Sequence, residues 1–180
     1  VPTLNEQYAN VLRRPMMALD YAIRRRGPMT MAPSQMGAFA KSSERHATPN
    51  VQFHVQPLAL PKFGEAMYAF PAITISVCNL RPDSRGSVHA RTPDPAAAPS
   101  IQPNYLSAAS DRETAVDSLR LVRRIVDQPA LKQFSPEEFA PGAHLRSDDE
   151  LAGAAGDIGT TIFHPVGTAK MGAAGDPAAV

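Results

Sequence analysis

The chain has 180 residues, 43% of them hydrophobic and 19% charged, with a formal net charge of +1. These values fit one folded unit with its own core and argue against a disordered chain. The near-neutral balance gives no global field for nucleic acid or an anionic membrane, no apolar run reaches the roughly 18 residues a bilayer requires, and the single cysteine, Cys78, excludes an internal disulfide.

Eighteen prolines, about twice the usual share, imply many extended or turned connections. Residues 4–26 have helical character interrupted by Pro15. A proline inside a helix costs about 3 kcal/mol, so two helices are expected to meet there. Met16, Leu19 and Ile23 share a face of the second, and Gly27-Pro28 ends it. The basic run Arg24-Arg25-Arg26 reads as a solvated helix end suited to the helix dipole rather than a nucleic-acid patch. An irregular crossing follows, with a short strand over 36–40.

The period then becomes two. Val51, Phe53 and Val55 alternate with Gln52, His54 and Gln56, and Ile73, Ile75 and Val77 alternate with Thr74, Ser76 and Cys78. Arg81 to Gly86 carries a turn signal, with further strands expected from Ser87 and over 100–102. Connections this short predict an antiparallel meander. From Ser110 the pattern turns helical. Ser110-Asp111-Arg112-Glu113 resembles a capping box, with Ala115, Leu119, Val122 and Val126 as the inward stripe and Pro129 as the stop. Ser135-Pro136-Glu137-Glu138 and Ser147-Asp148-Asp149-Glu150 repeat the start signal, the latter helix running to Gly156. Strands first and helices after predict an α+β fold, an antiparallel β-sheet backed by α-helices.

Chemistry concentrates in Phe163-His164-Pro165-Val166-Gly167-Thr168-Ala169-Lys170-Met171-Gly172. Imidazole titrates near neutral pH, and the X-Pro step restricts His164, making it a candidate acid/base group. The glycines there suit close approach of the backbone to something bulky. His54 and His89 read as solvated or hydrogen-bonded strand residues, and His144 as a loop residue. No histidines pair at ligand spacing, so no metal site is expected. A serine-hydrolase elbow, a dinucleotide Gly-x-Gly-x-x-Gly and a phosphate-binding Gly-Lys-Ser/Thr loop are all missing.

Residues 163–172 resemble the "HPxGTxxMG" segment of the glucose-methanol-choline (GMC) flavoprotein oxidoreductases, especially their choline-dehydrogenase-like members. Arg26-Gly27-Pro28-Met29-Thr30, Gln52 to Pro57, Cys78-Asn79-Leu80-Arg81-Pro82, Ser84-Arg85-Gly86-Ser87-Val88 and Pro103-Asn104-Tyr105-Leu106 resemble family segments in the same order. The resemblance implies that residues 1–163 form the substrate-binding domain of an FAD-dependent oxidoreductase acting on the CH–OH group of an alcohol. Residues 164–180 would carry the active-site histidine back toward an FAD-binding domain outside this chain. It implies His164 as catalytic residue, with Phe163 and Ile162 lining the pocket or packing in the core. Where many choline-oxidising relatives carry an acid, Gln35 stands here, which points to an alcohol without a trimethylammonium charge. FAD is the expected cofactor, held mainly elsewhere, so the chain alone is expected to be inactive and without flavin. The start at Val1 rather than Met is read as a fragment boundary. Expected partners are a small-molecule alcohol and the FAD-binding domain, with self-association as a homo-oligomer an open alternative and a cytoplasmic location. Two competing readings are a hydroxynitrile lyase of the same fold and a non-catalytic binding module.

Overall fold

A computed structural model describes residues 3–32, 34–62, 64–165, 167–177 and 179. The chain divides into two compact units. One comprises residues 1–80 and 121–136, the other 81–120 and 137–180.

The first unit opens with α1 (Leu4–Ala9) and α2 (Arg13–Arg24). The break falls ahead of the expected Pro15, because the Leu12 N–H donates to Asn10 Oδ1 at 3.0 Å in a local side-chain turn. Pro15 then sits in the first turn of α2, where its missing donor leaves no helical bond unmade. Arg25 caps α2 in the left-handed region (φ 53°), donating its N–H to Tyr21 O at 2.9 Å. A short 3-10 turn, Pro28–Thr30, follows.

Three strands, β1 (Met36–Ala40), β2 (Val51–Gln56) and β3 (Thr74–Asn79), form the expected antiparallel meander in the order β1-β2-β3. The register sets Phe53 between Ala38 and Val77, and His54 between Gly37 and Ser76. Val51 and Phe53 are buried as their alternation requires. Side-chain amides hold the loops. Asn50 accepts from Ser42 N–H at 2.8 Å and donates to Ser42 Oγ at 3.0 Å, closing the β1–β2 connection. Buried Asn5 donates to Ala59 O and Tyr68 O at 2.8 Å each and accepts from Ala59 N–H at 2.9 Å. It thereby ties α1 to the long β2–β3 connection.

In the second unit β4 (Ser87–His89) and β5 (Ser100–Gln102) pair antiparallel, but as a separate two-stranded sheet rather than as further strands of the meander. The reason lies in the intervening turn. The N–H groups of Asp83 and Ser84 donate to the buried carboxylate of Asp111 at 2.9 and 2.8 Å, which removes them from any strand ladder.

The same contact revises the reading of α3 (Ala109–Val126). Ser110 does not cap it: the helix is already under way at Ala109, and the Ser110 hydroxyl donates to Asp83 Oδ2 at 2.6 Å. Asp111, Thr114, Val116 and Ser118 are the buried residues, while the expected Ala115, Leu119, Val122 and Val126 are half-buried. A hydrogen-bonded polar anchor, rather than the apolar stripe, sets which side of the helix turns inward. Pro129 does not merely stop α3; it opens α4 (Pro129–Lys132) at its first position. No helix follows Ser135, whose left-handed φ of 48° does not suit an N-cap. Instead Glu138 accepts from Gly142 N–H at 3.1 Å across a series of turns. The last helix, α5 (Asp148–Ile158), has Ser147 at its N-cap in a complete capping box and buries Leu151. The architecture is α+β, with antiparallel sheets and helices.

Candidate functional site

The Ser147 capping box fixes the start of α5, and α5 delivers the chain to the histidine segment. Glu150 turns back to accept from Arg146 N–H, Ser147 N–H and Ser147 Oγ, each at 2.9 Å. The backbone N–H of Arg146, followed by the two Ser147 donors, holds the Glu150 carboxyl at about 2. At the far end the Gly159 N–H donates to Ala155 O at 2.9 Å, and a side chain there would collide with that same carbonyl.

Beyond Gly159 the backbone is irregular and exposed. The Phe163 N–H donates to Thr161 Oγ1 at 3.1 Å, and Phe163 adopts a left-handed φ of 62°. For a bulky side chain that conformation costs on the order of 1–3 kcal/mol and is found where the surroundings impose it. Gly167 is left-handed as well (φ 86°), with open space where a Cβ would stand. His164 and Pro165 lie between these two positions, and Pro165 confines His164 to extended conformations. His164 is exposed, and among the described residues no hydrogen bond engages its imidazole. Val166, within the motif, lies outside the described residues, as do Ala178 and Val180 in the 164–180 stretch.

The remainder of the segment is held locally. Lys170 Nζ pairs with Asp176 Oδ2 at 3.2 Å, and a Cβ on Gly172 would meet Ala179 Cβ at 2.6 Å and Asp176 Oδ2 at 2.8 Å. Lys170 therefore closes the terminal loop, and Gly172 lets the two arms of that loop approach.

Of the residues singled out in the sequence, Ile162, Phe163 and His164 share one exposed stretch, and neither apolar side chain belongs to the buried core. Gln35 lies in the other unit, immediately before β1. Its N–H donates to Val55 O at 2.9 Å and its side-chain amide to Ala32 O at 2.8 Å, leaving the amide oxygen uncommitted among the described residues.

One histidine differs from its expected role. His54 on β2 is half-buried, and among the described residues its Nε2 is buried without a hydrogen-bond partner. Its neighbours across the strands are Gly37 and Ser76. Glycine leaves space beside the ring but supplies no side-chain acceptor, so strand alternation alone could not reveal the unmet nitrogen. A polar face of Gln52, His54, Gln56, Thr74, Ser76 and Cys78 results. Burial pushes the Cys78 thiol up, against the opposing backbone hydrogen bond from Gln52, so it is a neutral thiol rather than a nucleophile. Among the described residues no three His, Cys, Asp or Glu side chains cluster to hold a metal.

The family model described as GMC oxidoreductase matches residues 82–180, over half of the chain and including the whole histidine segment. The chain belongs to the GMC oxidoreductase family. Curated relatives are similar to it as well. An alcohol dehydrogenase (acceptor) of Pseudomonas putida is 36% identical over 161 residues, spanning 89% of this chain and 29% of that protein. An oxygen-dependent choline dehydrogenase of Citrobacter koseri is 36% identical over 138 residues, covering 77% and 25% of the two chains. That of Staphylococcus haemolyticus is 33% identical over 171 residues, covering 95% and 30%. The chain thus spans under a third of the length of these GMC relatives.

Among solved structures, pyridoxine 4-oxidase from Mesorbium loti superposes with a TM-score of 0.69 at 25% identity, over 82% of this chain and 29% of that one. Formate oxidase of Aspergillus oryzae RIB40, a protein studied for modification of its FAD, gives a TM-score of 0.73 at 21% identity, over 88% and 32%. The second likeness speaks for the GMC fold alone.

Proposed function

We propose that the chain is the substrate-binding portion of an FAD-dependent oxidoreductase that acts on the CH–OH group of an alcohol, with His164 as its acid/base group. The observation that carries this reading is the His164 segment, an exposed imidazole between two left-handed residues within the family-matched region. Residues 1–163 are the substrate-binding domain in this reading. Residues 164–180 lead back to an FAD-binding domain encoded outside the chain.

The residues fit a planar, partly polar ring nearby: among the described residues no hydrogen bond engages the imidazole, and open space lies over Gly167. Bound FAD would supply the acceptor for the hydride that leaves the carbinol carbon. The chain's own part is proton management. His164 takes the hydroxyl proton, or donates a hydrogen bond to the oxygen as alkoxide character develops. Phe163 and Ile162, exposed beside it, supply apolar surface for the carbon skeleton of the alcohol. By the family resemblance Gln35 stands where many choline-oxidising relatives carry an acid, which favours an uncharged alcohol over choline.

The test is His164→Ala in the full-length enzyme, followed by anaerobic stopped-flow. Flavin absorbance should remain stoichiometric while reduction by the alcohol slows by about two to four orders of magnitude, the usual worth of a positioned acid/base group. Reduction at close to the wild-type rate would refute the assignment. Bleaching of the wild-type flavin by an alcohol separates this reading from a lyase that holds FAD without redox turnover.

A further inference from the structure

The stretch between the end of α5 and His164 inverts the usual sorting of side chains. Ile158, Ile162 and Phe163 are all exposed, and so are residues 156–160 and 162–165 as a whole. Thr161 alone among residues 156–165 is half-buried. A hydroxyl drawn in while its apolar neighbours stay out calls for a polar cause. That cause is Thr161 Oγ1, which accepts the N–H of Phe163, two residues on, at 3.1 Å. An acceptor at this spacing closes a local turn that stands in for a backbone hydrogen bond.

The turn coincides with the strained residue. Phe163 has a φ of 62° and is 68% exposed, so burial of its ring does not impose that conformation. Leu106, also bulky and left-handed (φ 58°), is half-buried, and Arg112 Nη1 donates to its carbonyl at 2.8 Å. In both places a side chain grips the backbone at the bend. At Phe163 the grip falls on the peptide that joins it to Ile162. Flipping that peptide would change ψ of Ile162 and φ of Phe163 together and let Phe163 reach the negative φ a bulky residue prefers. The flip turns the N–H away from Thr161, so the hydrogen bond opposes it. On the other side Pro165 keeps His164 extended, which leaves the bend at Phe163 to decide how the imidazole is presented.

On the reading of His164 as the acid/base group, we propose that Thr161 is its positioning residue: Thr161 Oγ1 pins the Ile162–Phe163 peptide, keeps Phe163 left-handed and thereby aims the imidazole. Threonine suits the task because its branched β-carbon confines the hydroxyl to few rotamers. Thr160, next to it, is exposed, and its side chain makes no hydrogen bond among the described residues, which makes it the internal control.

The experiment is anaerobic stopped-flow on the full-length enzyme. The probe is whichever uncharged primary alcohol, in a panel from ethanol to benzyl alcohol, bleaches the wild-type flavin fastest. Thr161→Val should slow flavin reduction about three- to tenfold, the factor carried by one neutral hydrogen bond. Thr161→Ser keeps the oxygen and should restore most of that rate, and Thr160→Val should match the wild type. In a His164→Ala background Thr161→Val should slow reduction no further, because a residue that acts through the imidazole has nothing left to aim. If the valine variant does not retain flavin, Thr161→Ala is read by the same criteria. A slow His164→Ala beside a Thr161→Val at the wild-type rate overturns the role of Thr161 alone. So does a serine variant as slow as valine, or an undiminished Thr161→Val effect in the His164→Ala background. No bleaching by any alcohol, or His164→Ala at the wild-type rate, overturns the acid/base assignment and the role of Thr161 with it.

Discussion

The Asp111 carboxylate is the most consequential polar contact in the second unit, and its removal should be measurable. It is 4% exposed and accepts the Asp83 and Ser84 N–H groups at 2.9 and 2.8 Å. Nearby, the Ala108 N–H donates to Ser84 Oγ at 3.0 Å, and Ser110 Oγ to Asp83 Oδ2 at 2.6 Å. Hydrogen bonds to charged groups contribute about 1.5–3 kcal/mol each, and a buried donor left unpaired costs about 1–3 kcal/mol. Two such bonds set an upper range near 6 kcal/mol. Residues 81–83 are exposed, so water can reach the turn once it loosens, and about 2–4 kcal/mol is expected for Asp111→Ala. Asp111→Asn keeps one acceptor oxygen without the charge and should lose about half of that. Urea unfolding by far-UV circular dichroism gives the global value. Amide exchange at Asp83 and Ser84 reports the turn itself, which matters in a chain of two compact units. An Ala variant within about 0.5 kcal/mol of wild type, the range of ordinary surface substitutions, would refute the anchor. So would an Asn variant as damaging as Ala.

Two further outcomes follow from the same unit. A Cβ on Gly86 would meet the carbonyl of Gln102, with Pro103 O at 2.6 Å and Pro103 Cα at 2.7 Å, all of it backbone. Gly86→Ala should therefore open the β4–β5 pairing at about 1–3 kcal/mol, and slow amide exchange persisting at Val88 and His89 would contradict this. Glu150, held at about 2 by the N–H groups of Arg146 and Ser147, titrates below its unfolded value near 4.5. A depressed folded value means the contribution is complete above pH 4.5 and is lost as pH falls toward 2. Protection of the first turn of α5 should fade across that window in the wild type and be flat in Glu150→Gln; parallel profiles would sink the reasoning.

Periodicity made the strands legible because alternation over Val51 to Gln56 and Thr74 to Asn79 is a local property, and the register follows from burying one face. The same logic found the stripe of α2 but could not say that Met16, Leu19 and Ile23 lie exposed, since a helical period is identical whether or not another surface covers it. In α3 the pattern misled. The inward face is decided by Asp111 and its partners 27 and 28 residues away, and no local period records a pairing at that distance. Ser135 likewise carried a sound start signal that a left-handed backbone overrode.

The candidate site shows the same limit. Gly167 reads as a place of close backbone approach, whereas it takes a left-handed φ of 86° with open space where a Cβ would stand. The left-handed backbone of Phe163 was not legible, because a bulky aromatic at positive φ runs against its own propensity. That disagreement is informative. Left-handed backbone occurs also at Arg25, Asn104 and Ser135, whose flexible or short polar side chains tolerate it, and at the bulky Leu106. At Phe163 the strained residue instead adjoins the one histidine that family resemblance assigns to chemistry, and its N–H is held by Thr161 Oγ1. A conformation adverse to its own residue persists when neighbouring structure imposes it, and the neighbour most affected by its orientation is His164.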